Sequence, residues 1–320
     1  MEVARLEEYL GLGPLCLERF GGGYSNLTYR LSAGDQEWVL RTAPPGSQVV
    51  GGHDMGREYR ILSALHPVFP KVPRPWRYCA DESVLGRPFF LMELVQGEIL
   101  RGRNGGEPDR MARISRQLVA QLVQLHSLDV DRLGLREWDK GAGYIQRQVS
   151  GWVSRWHKAE GPGGDRVLEY LAASQPAPSP ACLIHNDFKY DNVVLRGDEV
   201  VAILDWEMAT VGDPWMDLGT SLGYWVEAGD APELQALGFG PTHLPGNLTR
   251  REFSDLYQQL SGHSRTQSDI DFFYVFGLFK VAVIAQQIFL RFRQGHTRDQ
   301  RFAGLDRAVS LLLEQATRVI

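Results

Sequence analysis

Between the apolar runs Leu183-Ile184 and Val193-Val194-Leu195 lies His185-Asn186-Asp187-Phe188-Lys189-Tyr190-Asp191-Asn192. Asp187 and Asn192 stand five positions apart, the spacing of a catalytic loop of the form H-x-D-x-x-x-x-N. A carboxylate in that place can orient a substrate hydroxyl or take its proton. A neutral amide oxygen can then bind a metal ion that bridges phosphates. Asp205 follows Asn192 by thirteen residues, at the end of Val200-Val201-Ala202-Ile203-Leu204, so a hydrophobic strand delivers one acid at its tip. Asn192 and Asp205 form a hard-oxygen set that suits Mg²⁺ completed by phosphates and water, and that suits zinc poorly. Taken singly, a loop Asp is more often solvated or a helix cap, and a His beside a strand is more often structural. The order His185, Asp187, Asn192, Asp205 between apolar strands selects the chemical reading, with Asp187 catalytic and Asn192 and Asp205 on the metal. Within it, His185 is a scaffold for the loop.

These residues need elements to hold them. Residues 182–206 read as strand, loop, strand. Upstream, residues 24–42 predict a β-hairpin with glycines before it, and residues 46–54 a mobile loop. Tyr59, Leu62 and Leu65 share one face of a short helix over 57–65. Pro67, Pro70, Pro73 and Pro75 enforce extended chain. Residues 88–94 read as a buried strand, and a boundary between two lobes falls near residue 96. Beyond it, Met111, Ile114, Leu118, Leu122 and Leu125 mark an amphipathic helix ending near His126. Residues 144–157 form a second helix, residues 160–164 and 174–180 are breakers, and the chain from about Asp217 is mostly helical.

The chain has 320 residues, 43% hydrophobic and 23% charged, which is enough for two domains with a sizeable core. A formal net charge of −5 gives no general attraction to nucleic acid or to an anionic membrane. Cys16, Cys79 and Cys182 are odd in number, far apart and without a C-x-x-C pair. They argue against a disulfide framework and fit a reducing cytoplasm. The acidic opening Met-Glu-Val-Ala-Arg-Leu-Glu-Glu does not read as a signal peptide. The most apolar stretch, residues 272–290, contains Lys280, Gln286 and Gln287 and reads as a buried helix rather than a membrane span. Oligomeric state is not legible.

The segment 183–195, followed by Ile203-Leu204-Asp205-Trp206-Glu207-Met208-Ala209-Thr210-Val211-Gly212-Asp213-Pro214-Trp215-Met216-Asp217-Leu218, resembles the aminoglycoside phosphotransferase and choline kinase superfamily. Residues 24–31, 57–65, 86–93 and 144–149 with Trp152 agree, and resemble most the kinase-like domains joined to acyl-CoA dehydrogenases. The resemblance spans residues 18–320. It implies an α+β, two-lobed, protein-kinase-like fold, with a small β-rich N-lobe over 1–95 that binds nucleotide. A larger helical C-lobe over 96–320 would carry the catalytic loop and substrate helices. It implies a phosphotransferase acting on a small-molecule hydroxyl with ATP, or GTP, and Mg²⁺. Gly22, Gly23, Ser25 and Asn26 would lie over the phosphates, where glycines allow close backbone approach, although an ordinary turn explains them as well. Arg41 stands where such kinases carry a lysine, a departure with a bulkier, planar cation. Glu58 would anchor it, Met92, Glu93 and Leu94 would meet adenine, and Asp217 would support the loop. Lys189 either stabilises transferring charge or is solvated.

The aromatic and basic residues Tyr144, Arg147, Trp152, Arg155 and Trp156 suit an anionic or partly apolar acceptor better than a polycation, or simply pack a helix. The resemblance points to a hydroxy fatty acid or hydroxyacyl-CoA. An aminoglycoside or other amino-alcohol stays as the alternative acceptor. A nucleotide-binding pseudokinase is the alternative class, favoured by Arg41 and opposed by Asp187, Asn192 and Asp205. A protein kinase fits less well, because Asp205-Trp206-Glu207 replaces D-F-G.

Overall fold

The structure is a computed structural model that describes residues 3–21, 26–45, 53–102, 104–297 and 299–320. In chain order the elements of its first part are α1 (Val3–Leu10), β1 (Cys16–Arg19), β2 (Leu27–Ala33), β3 (Gln36–Thr42), α2 (Met55–Leu65), β4 (Pro75–Cys79), α3 (Glu82–Leu85) and β5 (Phe89–Glu93). Then come α4 (Pro108–His126), α5 (Tyr144–Lys158), α6 (Asp165–Ala173), β6 (Cys182–Ile184), β7 (Val193–Arg196), β8 (Glu199–Ile203) and β9 (Thr210–Gly212). Last are α7 (Pro214–Gly223), α8 (Pro232–Gln235), α9 (Arg250–Ser261), α10 (Gln267–Arg293) and α11 (Leu305–Val319). The chain divides into two compact units, Met1–Glu98 with Val193–Ala209, and Ile99–Asn192 with Thr210–Ile320.

The first unit is built on an antiparallel sheet of order β1-β2-β3-β5-β4. The expected hairpin is β2–β3, closed where Ala33 pairs with Gln36 around Gly34, whose φ of 59° needs a glycine. Side chains alternate across a strand, so β3 and β5 serve two faces. Leu40, Phe89 and Leu91 meet α1 and α3 through Leu6, Leu10, Val84 and Leu85. The opposite face carries Arg41, paired in register with Phe90, and α2 covers it with Tyr59 against Phe90. Asp54 caps α2 by accepting from the Arg57 amide at 3.0 Å.

Residues 193–209 belong to this unit, although the boundary read from sequence left them in the second lobe. Glu98 and Leu195 exchange two backbone hydrogen bonds of 2.8 Å, which ties β7 to the chain leaving the sheet. A Cβ at Gly97 would stand 2.3 Å from the Leu195 carbonyl oxygen, so only glycine permits that approach. The β7–β8 hairpin then carries the chain to Asp205.

The second unit is helical apart from the short β6–β9 ladder. Helix α10 is apolar on all sides, as a fully surrounded helix should be. It is long and apolar enough to cross a membrane, yet 72% of its most apolar window is buried inside the protein. It crosses α7 at backbone contact: a Cβ on Gly277 would lie 1.9 Å from the Gly219 oxygen, and one on Gly223 would lie 2.5 Å from the Gly277 carbonyl carbon. Its two fully enclosed polar side chains both have partners, Gln286 on the Ala159 carbonyl at 2.9 Å and Lys280 on the Asn186 carbonyl at 2.6 Å.

Candidate active site

In the second unit, β6 ends at Ile184 and a 3₁₀ turn over Tyr190–Asn192 closes the loop that the sequence reading singled out. Asp217, wholly buried on the first turn of α7, accepts the amide of His185 on one oxygen and that of Asn186 on the other, both at 2.7 Å. Burial works to raise the Asp217 pKa, but the hydrogen bonds from His126 and the His185 amide carry it below the usual carboxylate range. Asn186 adopts φ 66°, a conformation uncommon for a residue with a side chain. It is fixed from both ends, its amide on Asp217 and its carbonyl on the Lys280 ammonium. The strained residue thus sits directly before Asp187.

Asp187 is oriented from three directions. Lys189 Nζ stands 2.8 Å from one of its oxygens, and Asn192 Nδ2 donates to the same oxygen at 2.9 Å and to its carbonyl at 2.8 Å. Its own amide donates to His185 Nδ1 at 3.2 Å, and His185 is entirely buried. Burial pushes the Asp187 pKa up, but Lys189 foremost, with His185 and Lys280, brings it net below the ordinary value. The carboxylate is therefore ionised at neutral pH and ready to accept a hydrogen bond or a proton. Lys189 lies 4.3 Å above the Tyr224 ring, which holds the ammonium in place.

In the first unit, the Arg41 guanidinium gathers three carboxylates: Glu58 at 3.3 Å, Asp205 at 2.9 Å and Glu207 at 3.0 Å. The geometry follows from the fold. Arg41 and α2 share one face of the sheet, and β8 brings Asp205 in at φ 66°. Burial alone would lower the Arg41 pKa, but Glu58, Asp205 and Glu207 together hold it above the ordinary arginine value. Glu58 is pushed up to about 7 chiefly by burial, against the pull of Arg41 and of a hydrogen bond from the Trp206 amide. Asn26 joins the cluster, donating to Glu207 at 2.6 Å, with His53 Nδ1 2.9 Å from its carbonyl oxygen. Arg57 donates to the Ala209 carbonyl at 2.7 Å and fixes the exit of the segment.

Of the residues read from sequence, Arg41, Glu58, Asn26 and Asp205 come together in the first unit, and Asp187 and Asn192 in the second. Met92 and Glu93 end β5, Met92 buried and Glu93 exposed, with the Glu93 amide on the Arg74 carbonyl at 2.9 Å. Leu94 follows directly after the strand. Gly22, Gly23 and Ser25 lie outside the described residues, as do residues 46–52 of the expected mobile loop. Sequence reasoning gave no role to Glu207, two places beyond Asp205, or to His126. It used Lys280 only as an argument against a membrane span. The available signals were an acid repeated on one short segment and a lone charge inside an apolar run, which must find a partner once buried.

The model of the phosphotransferase enzyme family (APH) matches residues 17–253. Acyl-CoA dehydrogenase family member 11 of Rattus norvegicus is 34% identical over 322 residues, covering 93% of this chain and 41% of the relative. The chain thus spans about two fifths of the length of that protein. A crystal structure of a candidate aminoglycoside phosphotransferase from Ralstonia eutropha JMP134 is 27% identical with a TM-score of 0.81, covering 99% of this chain and 98% of that one. Spectinomycin phosphotransferase, solved with ADP and spectinomycin, is similar in fold alone, with 12% identity, a TM-score of 0.61 and coverage of 99% and 98%. The α+β architecture, a sheet-rich part followed by a helical one, is therefore that of the kinase-like phosphotransferases. By the length and placement of these matches, the chain belongs to the phosphotransferase enzyme family, whose members transfer a phosphoryl group to a small-molecule hydroxyl.

Proposed function

We propose that the chain transfers the γ-phosphoryl group of ATP to a hydroxyl of an anionic, partly apolar small molecule, such as a hydroxy fatty acid or a hydroxyacyl-CoA. The observation that carries the reaction is the Asp187 carboxylate, ionised and held by Lys189 and Asn192, with the Asp187 amide donating to the His185 ring. The acceptor oxygen forms a bond to the γ-phosphorus while the bond from that phosphorus to the bridging oxygen of ADP breaks. The hydroxyl proton passes to Asp187. Lys189, next to that carboxylate, offsets charge on the transferring group.

Asn192 and Asp205 are the residues that would hold Mg²⁺. Among the described residues, Asn192 Oδ1 accepts no hydrogen bond, and Arg41 occupies only one oxygen of Asp205, so each side chain keeps a hard oxygen. No group of three or more His, Cys, Asp or Glu among the described residues could hold a metal by itself, which fits an ion completed by phosphates and water. Bound there, Mg²⁺ would neutralise phosphate charge. Arg41 and residues 22–26 are assigned to the phosphates, and the backbone of residues 92–94 to adenine. The ADP held by the spectinomycin enzyme supports nucleotide use.

The acceptor class rests on Arg155, which is exposed and lies 4.8 Å from the Trp152 ring, a basic and aromatic pair that suits an anionic, partly apolar acceptor better than a polycation. The likeness to a domain of the rat relative supports the acyl preference. Phosphorylation assays on a hydroxyacyl-CoA panel beside an aminoglycoside panel decide it: exclusive turnover of aminoglycosides overturns the preference. Asp187→Ala is expected to lose about 100- to 10,000-fold in kcat/KM, and full activity in that variant overturns the mechanism. A pseudokinase is the second reading, because Arg41 is already engaged by three carboxylates. Tight ATP binding without turnover on any acceptor would favour it.

A further inference from the structure

Within the second unit, a cavity of about 560 Å³ opens between the end of α4, residues 178–182, the start of α7 and the segment from α9 to Arg265. That size is in the range of small-ligand pockets, roughly 300–1,000 Å³. None of the residues assigned above to phosphoryl transfer lines it. Its walls mix apolar residues such as Val123, Leu128 and Leu260 with polar ones such as Ser127, Ser261 and His263.

Its charges have a definite balance. Arg136 is engaged by Asp131 at 2.5 Å and by Asp139 at 3.5 Å. Asp129 accepts the amides of Asp131 and Arg132 and pairs with the Arg132 side chain. Arg265 differs. It donates to Ser179 Oγ at 2.5 Å and lies 5.8 Å from the Trp215 ring centre, but it forms no ion pair with a carboxylate of any described residue. Asp213 feels its charge from farther off, and the Asp213 oxygens already accept the amides of Ser179 and Trp215. One uncompensated guanidinium beside a partly apolar wall, with Asp129 present to repel further negative charge, suits an anion of single charge on an apolar body.

The wall also contains Tyr257 and His126, and these lead inward. Tyr257 Oη lies 2.8 Å from His126 Nδ1, and His126 Nε2 lies 3.1 Å from the Asp217 oxygen that accepts the His185 amide. A molecule in the cavity therefore touches a hydrogen-bonded chain that ends on the backbone before Asp187.

We propose that this cavity binds a small monocarboxylate with an apolar body, its carboxylate on Arg265, and that occupancy reaches the catalytic loop through Tyr257, His126 and Asp217. The test uses 3-phenylpropionate as probe and the neutral 3-phenylpropanamide as control, titrated into the full chain by calorimetry. The carboxylate should bind at least tenfold more tightly than the amide. Arg265→Gln and Leu260→Trp, checked for unchanged melting, should each weaken it at least tenfold. Amide hydrogen exchange over residues 183–190 should change at least twofold on saturation. Absence of binding, equal binding of the amide, or binding indifferent to Arg265→Gln overturns the site, and unchanged exchange on saturation overturns the connection. Neither readout depends on turnover, so failure here is separable from failure of the phosphotransferase reading.

Discussion

The two units organise their acids in opposite ways. In the first, three carboxylates converge on one guanidinium, and side chains do nearly all the holding. In the second, Asp217 is held by backbone amides and Asp187 by Lys189 and Asn192, with Lys280 behind the loop. The first arrangement has an excess of negative charge and one point of failure. The second is nearly balanced and distributed. A cluster with surplus acid is suited to receive a cation, whereas a balanced loop is suited to keep its shape while a substrate comes and goes.

The sharpest way to break this contrast is Arg41→Met. Removing one partner of a buried ionic cluster costs about 3–5 kcal/mol, so urea unfolding should show the largest loss there, with Arg41→Lys recovering part of it. A cost below about 1 kcal/mol would mean that Glu58, Asp205 and Glu207 do not depend on the guanidinium.

Lys280 offers the second test, by pH. Burial lowers its pKa from 10.5 to about 8. Between those values the unfolded chain holds a proton that the folded chain does not, so stability rises with pH through this window. Below it, the cost of burying the charge is fully present. At about 1.4 kcal/mol per pKa unit, wild type should gain up to about 3 kcal/mol on Lys280→Met across the window. A flat difference between the two proteins would show that the ammonium is not desolvated.

Asp217→Asn comes next, at about 2 kcal/mol, because the amide can accept only one of the two backbone donors well. A cost equal to that of Arg41→Met would erase the distinction between the units. The smallest effect is expected from Asp54→Ala, the cap of α2, at about 1 kcal/mol, read as a small shift in the melting of the first unit.

The loop was legible because its chemistry is contiguous: residues 185–192 lie in one run between apolar strands, so spacing alone exposed them. The Arg41 cluster was half legible. Glu58 was found through family pattern, but Arg41 and Glu207 are 166 residues apart, and no local signal joins them. The elements missed were the short ones, α1, β1, α3, α6 and β9, where too few turns or residues exist for periodicity to register. The proline-rich stretch read as extended chain, and it ends in β4, which opens on Pro75. Proline is tolerated there because β4 is an edge strand and Pro75 its first residue. The assignment of residues 193–209 to the first unit was hidden for a different reason. It depends on two backbone hydrogen bonds across nearly a hundred residues, and sequence patterns carry no trace of such pairing.

The glycine crossing of α7 and α10 has a consequence for the chemistry. One helix carries Asp217 and the other Lys280, the two groups that hold Asn186 by its amide and its carbonyl. With the helices in backbone contact at Gly219, Gly223 and Gly277, neither can slide without the other. They act as a fixed caliper whose jaws close on a single residue. The strained conformation that precedes Asp187 is therefore set when the chain folds, and arriving substrate has no shaping of that residue left to do.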